Sequence, residues 1–166
     1  MKGSSLLESI EKGLQDFELD LEGHKWRDSI PSRPGWYFIK TNAPPEVFTK
    51  IGPPEGVNHY DLPKRIRSAL ALESLGVCIM PAEGGMYVVY SGETKNLKAR
   101  AREHVYGHSK TGCLALGNYP LLKSYEWRFI CSVCHIVQNP NDSKLVRILG
   151  EQLWRAKNGW PILCGK

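Results

Sequence analysis

Three short stretches rich in aromatic and β-branched residues constrain the fold most strongly, because helical patterns separate them along the chain. They span residues 35–39, 86–90 and 127–137, and residues of these types favour β-strands. Patterns typical of helices cover residues 4–17, 61–75, 94–107 and 143–157. Residues 42–60 hold four of the eleven prolines and predict a loop. The length of the chain predicts one domain over residues 1–166, in which helices and strands alternate.

The composition favours a soluble chain that works in the cytoplasm. No apolar stretch approaches the about 18 residues that a membrane helix needs, and the first residues lack the long apolar stretch of a secretory signal. Five cysteines are an odd number, which argues against a full disulfide framework and fits a reducing compartment. We therefore expect a cytoplasmic protein with no membrane partner.

Basic residues are concentrated in the second part of the chain. Residues 61–166 hold 15 lysines and arginines against 8 acidic residues, whereas residues 1–60 hold 7 against 9. A basic region of this kind is the electrostatic footprint of a protein that binds a polyanion such as nucleic acid. The alternative is a solvated lysine-rich surface.

The stretch 90–104 combines three groups suited to phosphodiester chemistry. Tyr90 ends a predicted strand and Gly92 turns the chain. Arg100 and His104 follow, four residues apart on one face of a predicted helix. A guanidinium binds phosphate through two hydrogen bonds, an imidazole transfers protons near neutral pH, and a phenol acts as a base when cations lower its pKa. The alternative is a solvated basic helix.

The spacing of these residues closely resembles the second half of the GIY-YIG nuclease motif. That motif has a tyrosine two residues before a glycine, an arginine ten residues after the tyrosine and a histidine four residues later, as at Tyr90, Gly92, Arg100 and His104. Gly35-Trp36-Tyr37 matches the first half. Glu151, followed three residues later by Trp154, is similar to the glutamate on a later helix of the family.

Tyr37 rather than Tyr87 is taken as the first tyrosine of the motif. Gly85-Met86-Tyr87 shows the same pattern, but Tyr87 and Tyr90 lie three residues apart on one predicted strand. The alternation of side chains along a strand would send them to opposite faces of the sheet. Tyr37 lies on a separate strand, so it can lie beside Tyr90 if the two strands pair.

The resemblance implies an α+β fold, with a small three-stranded antiparallel sheet flanked by helices. Its strands would carry Tyr37, Tyr90 and residues 127–137. Residues 41–85 would form an insertion between the first two core strands, and residues 1–33 would form an N-terminal helical extension.

The resemblance also implies a metal-dependent DNA endonuclease, with a restriction-type enzyme as the leading choice. Tyr37 would be the general base that activates water, and Arg100 would hold the scissile phosphate. Tyr90 and His104 would accept or relay the proton. Glu151 would bind one Mg²⁺ or Mn²⁺, which would stabilise the leaving oxygen.

The glutamate also has an interpretation from helix geometry alone. On the predicted helix 143–157, Leu145, Ile148 and Leu149 belong to an apolar face that Glu151 borders, so its carboxylate can face a cleft. The alternative is a surface glutamate that pairs with Arg147 or Arg155.

Basic residues beside the motif are expected to contact the DNA. Lys95, Lys98 and Arg102 would bind flanking phosphates, which position a substrate without reading its sequence. His108 shares a helical face with His104 and is expected to touch the substrate. DNA is the expected partner, and a homodimer is left open.

Other interpretations of the same residues stay open. Glu93 stands where the family usually has a lysine or serine, and Cys164 stands where it often has an asparagine. One alternative is therefore a non-catalytic nucleic-acid-binding module on a degenerate nuclease fold. A nuclease of a phage, a mobile element or a toxin is another, and an RNA-binding or interaction domain is a third.

Cysteines near the third predicted strand match a pattern with a different function. Cys131, Cys134 and His135 form the C-x-x-C-H sequence of covalent haem attachment. Because the segment predicts a strand, its cysteines should lie on opposite faces, and haem is not expected. A zinc site that adds Cys113 is left as a minor alternative.

Overall fold

The computed structural model describes residues 3–52, 59–81, 85–135 and 140–165. The helices are α1 (Gly3–Lys12), α2 (Pro45–Lys50), α3 (Leu62–Leu70), α4 (Leu97–Tyr106) and α5 (Pro140–Asn158). The strands are β1 (Gln15–Glu18), β2 (Gly35–Thr41), β3 (Cys78–Ile79), β4 (Tyr87–Thr94), β5 (Trp127–Val133) and β6 (Trp160–Pro161). Short 3₁₀ helices lie at Lys25–Ser29, Glu73–Leu75, Leu116–Asn118 and Pro120–Ser124.

Four strands form one antiparallel sheet in the order β1-β5-β2-β4. β3 and β6 pair separately and in parallel. The α+β class is therefore confirmed, and the three predicted strands are the three neighbours β5, β2 and β4. The prediction of a three-stranded sheet is wrong, because β1 adds a fourth strand at one edge.

The extra strand begins within the predicted helix 4–17 and ends at Glu18. α1 ends at Lys12, and Gly13 then approaches Ser132 so closely that a Cβ on the glycine would overlap the serine hydroxyl. The chain continues as β1, which pairs with β5 and places Phe17 opposite Phe129. Partners far along the chain satisfy the backbone groups of this segment, so tertiary contact overrides the local helical pattern.

The boundaries of two other strands also differ from the prediction. β4 continues to Thr94, so Ser91 and Gly92 lie inside a strand rather than in a turn. β5 ends at Val133, and the last two residues of the predicted strand 127–137 lie outside the described residues. Cys131 and Cys134 contact hydrophobic clusters on opposite faces of the sheet, as predicted.

The insertion contains more regular structure than the sequence indicates. Residues 45–50 of the predicted loop form α2, and residues 53–58 lie outside the described residues. The predicted helix 61–75 ends as α3 at Leu70. Asp61 caps this helix, because its carboxylate accepts a hydrogen bond of 2.9 Å from the backbone N–H of Lys64.

The two faces of the sheet carry separate hydrophobic clusters. Trp36 and Phe38 point to the cluster that α1 and α5 cover, and the Trp36 indole donates a 2.7 Å hydrogen bond to the backbone carbonyl of Arg147. Tyr37 and Ile39 point to the larger cluster, which α3 and α4 cover. Alternation along β2 therefore places Tyr37 on the side of α4.

A β-bulge in β4 overturns one step of the sequence argument. Ile39 lies opposite Tyr90 and Lys40 lies opposite Val88, so Val89 is an extra residue. The bulge brings Tyr87 and Tyr90 into the same cluster, and the prediction that they face opposite sides is wrong. The Tyr87 hydroxyl donates a 2.8 Å hydrogen bond to Ala43 in the insertion.

Within the described part of the chain, no helix is long and apolar enough to cross a membrane.

Candidate active site

The hydroxyl of Tyr37 is the centre of a buried polar cluster. Its oxygen lies 2.9 Å from Nε2 of His104 and accepts a 3.1 Å hydrogen bond from Nε of Arg100. Tyr37 and His104 are 1% and 0% exposed. Gly92 lies opposite Tyr37 in the sheet, and a Cβ there would overlap the phenol ring and hydroxyl. Gly92 therefore leaves room for the ring and hydroxyl of Tyr37.

The start of α4 fixes the positions of the two basic side chains. Asn96 caps the helix, and its side chain accepts a 2.9 Å hydrogen bond from the backbone N–H of Ala99. The N–H of Leu97 donates to the carbonyl of Arg33, just before β2. This contact ties the helix to the strand that carries the buried tyrosine. Arg100 and His104 then lie one turn apart on the face toward the sheet.

The protonation of His104 follows from its second ring nitrogen. The backbone N–H of Leu114 donates to Nδ1 at 3.3 Å, so Nδ1 is an acceptor and carries no proton. The neutral ring then carries its proton on Nε2 and donates it to Tyr37. Burial lowers the pKa of His104 well below its ordinary value, and the charges of Arg100 and Arg65 lower it further. The imidazole is therefore neutral at neutral pH.

Burial and charge act in opposite directions on the two tyrosines. Burial raises the pKa of Tyr37 well above its ordinary value, although the adjacent Arg100 lowers it. Burial also raises the pKa of Tyr90, and the neighbouring Tyr37 adds to the effect. The ring centroid of Tyr90 lies 6.2 Å from that of Tyr37 and 4.8 Å from that of His104. The charge of Arg100 therefore does not lower the pKa of either phenol enough for it to be mostly ionised at neutral pH.

The guanidinium of Arg100 is held by three separate partners. Besides Tyr37, it contacts the Glu103 carboxylate at 2.6 Å and donates a 2.9 Å hydrogen bond to the carbonyl of Gly112. Its side chain is 12% exposed. This fixed and partly accessible cation can bind a phosphate oxygen beside the Tyr37 hydroxyl.

Glu151 lies on the inner face of α5 and is neither free nor on the surface. Its carboxylate forms a 2.5 Å ion pair with Arg155, and the two side chains are 14% and 13% exposed. Burial raises the pKa of Glu151, Arg155 lowers it, and the charge of Glu93 raises it again. The predicted pairing with Arg155 is present, but it occurs at a partly buried position.

The orientation of α5 differs from the sequence expectation. Leu145, Ile148 and Leu149 are 57%, 38% and 49% exposed, so the apolar stripe faces away from the sheet. Arg147, Glu151 and Arg155 instead face inward, one turn apart. Gly150 permits this orientation, because a Cβ there would overlap the indole of Trp36.

The carboxylates near the end of β4 fit a hydrated cation better than a fully protein-bound one. Glu93 pairs with Arg147 at 2.7 Å and is close enough to raise the pKa of Glu151. In the ranges that the structure describes, no group of three or more histidine, cysteine or acidic side chains is arranged to hold a metal ion. Mg²⁺ is commonly bound by one or two carboxylates and keeps several water ligands. Glu151 and Glu93 fit this mode of binding.

Arg155 also contacts Ser91 and Cys164, and sequence reasoning missed these contacts. Arg155 donates to the hydroxyl and the carbonyl of Ser91 at 2.9 and 3.1 Å, and to the sulfur of Cys164 at 3.3 Å. The backbone N–H of Ser91 also donates to this sulfur at 3.3 Å. Cys164 therefore accepts hydrogen bonds from both residues. The four-residue spacing of Glu151 and Arg155 indicates only their ion pair.

The four basic residues expected to bind DNA lie around α4 with different degrees of exposure. Lys95, Arg102 and His108 are exposed. Lys98 is half-buried and lies 3.3 Å from the carboxylate of Asp28. The structure thus brings Tyr37, Tyr90, Arg100 and His104 into contact and leaves three of the basic residues accessible nearby.

Comparison of this chain with protein-family models, with curated proteins and with solved structures found no match in any of the three. The function is therefore argued from the geometry of the site.

Proposed function

We propose that this protein is a metal-dependent DNA endonuclease of the restriction type, built on a GIY-YIG-like arrangement of strands and helices. The observation that carries the proposal is the position of the Tyr37 hydroxyl between the guanidinium of Arg100 and the imidazole of His104. Two N–H donors on one phenolic oxygen stabilise its ionised form relative to its neutral form. A phenolate placed beside a phosphate-binding arginine is suited to activating water for phosphodiester hydrolysis.

In the proposed reaction, the ionised Tyr37 takes a proton from a water molecule as the water oxygen attacks phosphorus. The bond between phosphorus and the leaving ester oxygen breaks, and that oxygen takes up a proton from solvent. Arg100 offsets the negative charge that develops on the phosphate.

The proposed role of His104 is narrower than the sequence expectation. Because the N–H of Leu114 occupies Nδ1, the imidazole keeps its proton on Nε2 and donates to Tyr37. His104 is therefore a positioning residue that stabilises the phenolate, and it does not accept the proton at that nitrogen. Tyr90 packs on both rings and completes their enclosure.

Glu151, with Glu93 nearby, would hold Mg²⁺ or Mn²⁺, and such an ion would supply charge stabilisation at the leaving oxygen. Glu151 is close enough to Tyr37 for its charge to raise the pKa of the phenol. This proximity supports a metal position beside the proposed base. Before Glu151 could bind such an ion, its ion pair with Arg155 would have to loosen.

DNA as the substrate is supported by the exposed cations around α4. Lys95, Arg102 and His108 surround the helix that carries Arg100, and Lys98 would join them on release from Asp28. A cytoplasmic location is part of the proposal and is supported by five cysteines that are all free thiols. The exposed leucines and isoleucine of α5 offer a surface on which a homodimer could form.

The proposal is tested by incubating purified protein with supercoiled plasmid, with Mg²⁺ and with a chelator. We expect cleavage that requires Mg²⁺ and is lost in Glu151→Ala. Glu11→Ala is the matched control, because Glu11 forms an ion pair with Lys157 on the surface, at 2.6 Å. Equal cleavage by Glu151→Ala and wild type, or no cleavage of any DNA by wild type, would overturn the proposal.

The alternative of a non-catalytic DNA-binding module is favoured by one observation. Each of the two carboxylates that could hold a metal is already neutralised, Glu151 by Arg155 and Glu93 by Arg147. Salt-sensitive DNA binding that is unchanged by Mg²⁺ and is accompanied by no cleavage would support this function.

A further inference from the structure

A cleft of about 900 Å³ lies between α3 and the C-terminal segment that begins with β6. Its walls include Tyr60, Lys64 and Ser68 on the side of the insertion, and Trp160 and Cys164 on the other side. Sites for small molecules and cofactors commonly have volumes of about 300–1,000 Å³. None of these wall residues has a role in the reaction proposed above, so the cleft is a separate feature of the fold.

Stacked rings connect the cleft to the buried tyrosine. The ring of Tyr60 stacks on that of Tyr90 with centroids 6.2 Å apart, and Tyr90 stacks on Tyr37 at the same separation. Cys164 lines the cleft and also contacts Ser91, the residue before Gly92. Two successive ring contacts therefore connect the cleft wall to the tyrosine whose hydroxyl Arg100 contacts.

The aromatic walls are fixed before any ligand arrives. The guanidinium of Arg65 lies 3.4 Å from the ring centroid of Tyr60 and donates to the carbonyl of Leu163 at 2.8 Å. The guanidinium of Arg155 lies 4.4 Å from the ring centroid of Trp160, whose indole N–H donates to the carbonyl of Cys164 at 3.1 Å. Rings held in this way lose little conformational freedom when a ligand packs against them.

Polar groups of the cleft suit the remaining parts of a nucleotide. Lys64 and Ser68 are exposed and lie one turn apart on α3, where they can bind a phosphate. His59 also lines the cleft.

We propose that this cleft binds one unstacked nucleotide of the DNA strand, next to the scissile phosphate. The proposal rests on the nuclease function and adds a substrate subsite to it. A base inside a duplex has both faces covered by its neighbours, so aromatic walls can contact it only after it leaves the stack. The volume suits a nucleotide rather than a duplex.

Substitutions on α3 test the cleft without disturbing the core. Ser68→Trp fills the cleft and Lys64→Glu reverses the charge at its rim. Ser74→Trp and Arg67→Glu are matched controls, because Ser74 and Arg67 are exposed and neither lines the cleft. All four are made in the Tyr37→Phe background, so that the DNA stays intact during the measurement.

The probes are a short single-stranded oligodeoxynucleotide and a duplex that carries 2-aminopurine beside the cleavage position. We expect Ser68→Trp and Lys64→Glu to weaken binding of the single strand on the order of tenfold, and to abolish the rise in 2-aminopurine fluorescence that unstacking produces. The two controls should change the affinity by no more than about twofold.

The outcomes distinguish failure of the cleft proposal from failure of the nuclease proposal. If Ser68→Trp and Lys64→Glu bind the single strand as the controls do, or if wild-type protein cleaves DNA and the fluorescence does not rise, the cleft proposal is overturned and the nuclease stands. If the cleft substitutions weaken binding while wild-type protein cleaves no DNA, the cleft is supported as a nucleotide site and the nuclease is overturned.

Discussion

Glu151 and Arg155 form a 2.5 Å ion pair one turn apart on the inner face of α5, and both side chains are almost buried. The pair neutralises the carboxylate that would hold the metal. Arg155 also holds Ser91, Cys164 and Trp160 in place. The same arginine therefore links the metal position, the end of β4 and the cleft wall.

Metal binding by the free protein should be limited by this ion pair. We expect Arg155→Gln to raise the affinity for Mn²⁺ on the order of tenfold, because Mn²⁺ no longer has to displace a guanidinium from the Glu151 carboxylate. Titration calorimetry without DNA measures the effect, with circular dichroism to verify folding. The double variant Glu151→Gln/Arg155→Gln is the control and should lose the gain. An Mn²⁺ affinity that is unchanged in Arg155→Gln would contradict the assignment of Glu151.

Arginine at position 100 should not be replaceable by lysine. Its three nitrogens contact Tyr37, Glu103 and Gly112 in separate directions, which one ammonium group cannot reproduce. We expect both Arg100→Ala and Arg100→Lys to lower the rate of plasmid cleavage by about 10²–10³-fold, as loss of a fixed charge-stabilising donor does. Arg102→Lys, at an exposed position of the same helix, should cleave nearly as wild type does. A lysine variant with wild-type activity would show that only charge is needed.

Cleavage should become faster as the pH rises through neutrality. Burial raises the pKa of Tyr37 well above its ordinary value, so at pH 7 to 9 only a small fraction is ionised. That fraction grows by about tenfold for each pH unit below the pKa, and the single-turnover rate should follow it. His104 is neutral throughout this range and adds no second ionisation. A rate that falls between pH 7 and 9 would contradict the assignment of Tyr37 as the base.

The buried imidazole of His104 should make the fold sensitive to acid. Burial lowers its pKa in the folded state, whereas the unfolded chain has a histidine of ordinary pKa, near 6.5. As the pH falls below about 6.5, the unfolded state binds a proton that the folded state does not, and stability falls by up to about 1.4 kcal/mol per pH unit. Urea unfolding between pH 7.5 and 5 measures this slope. His104→Gln should flatten it, and an equally steep slope in that variant would contradict the account.

The contacts of the site that were predictable from sequence depend on regular spacing. A helix places residues four positions apart on one face, so Arg100 and His104 were expected together, and the structure adds that both reach Tyr37. The hydrogen bond by which Asp61 caps α3 is likewise between residues close in sequence.

The features that sequence did not reveal depend on contacts between distant segments. The strand β1 exists because Phe17 pairs opposite Phe129, and the bulge at Val89 depends on the register between β4 and β2. The orientation of α5 is set by the packing of Gly150 against Trp36 rather than by its apolar stripe. None of these contacts has a periodic signal in the chain.

The most direct test of the central claim compares Tyr37→Phe with Tyr87→Phe in single-turnover cleavage of DNA with Mg²⁺. Each substitution removes one hydroxyl from a buried tyrosine, and the Tyr87 hydroxyl contacts Ala43 outside the site. The account predicts that Tyr37→Phe lowers the rate by at least about 10²-fold, the smallest effect expected for loss of a general base, and that Tyr87→Phe cleaves at nearly the wild-type rate. Equal rates for Tyr37→Phe and wild type would contradict it.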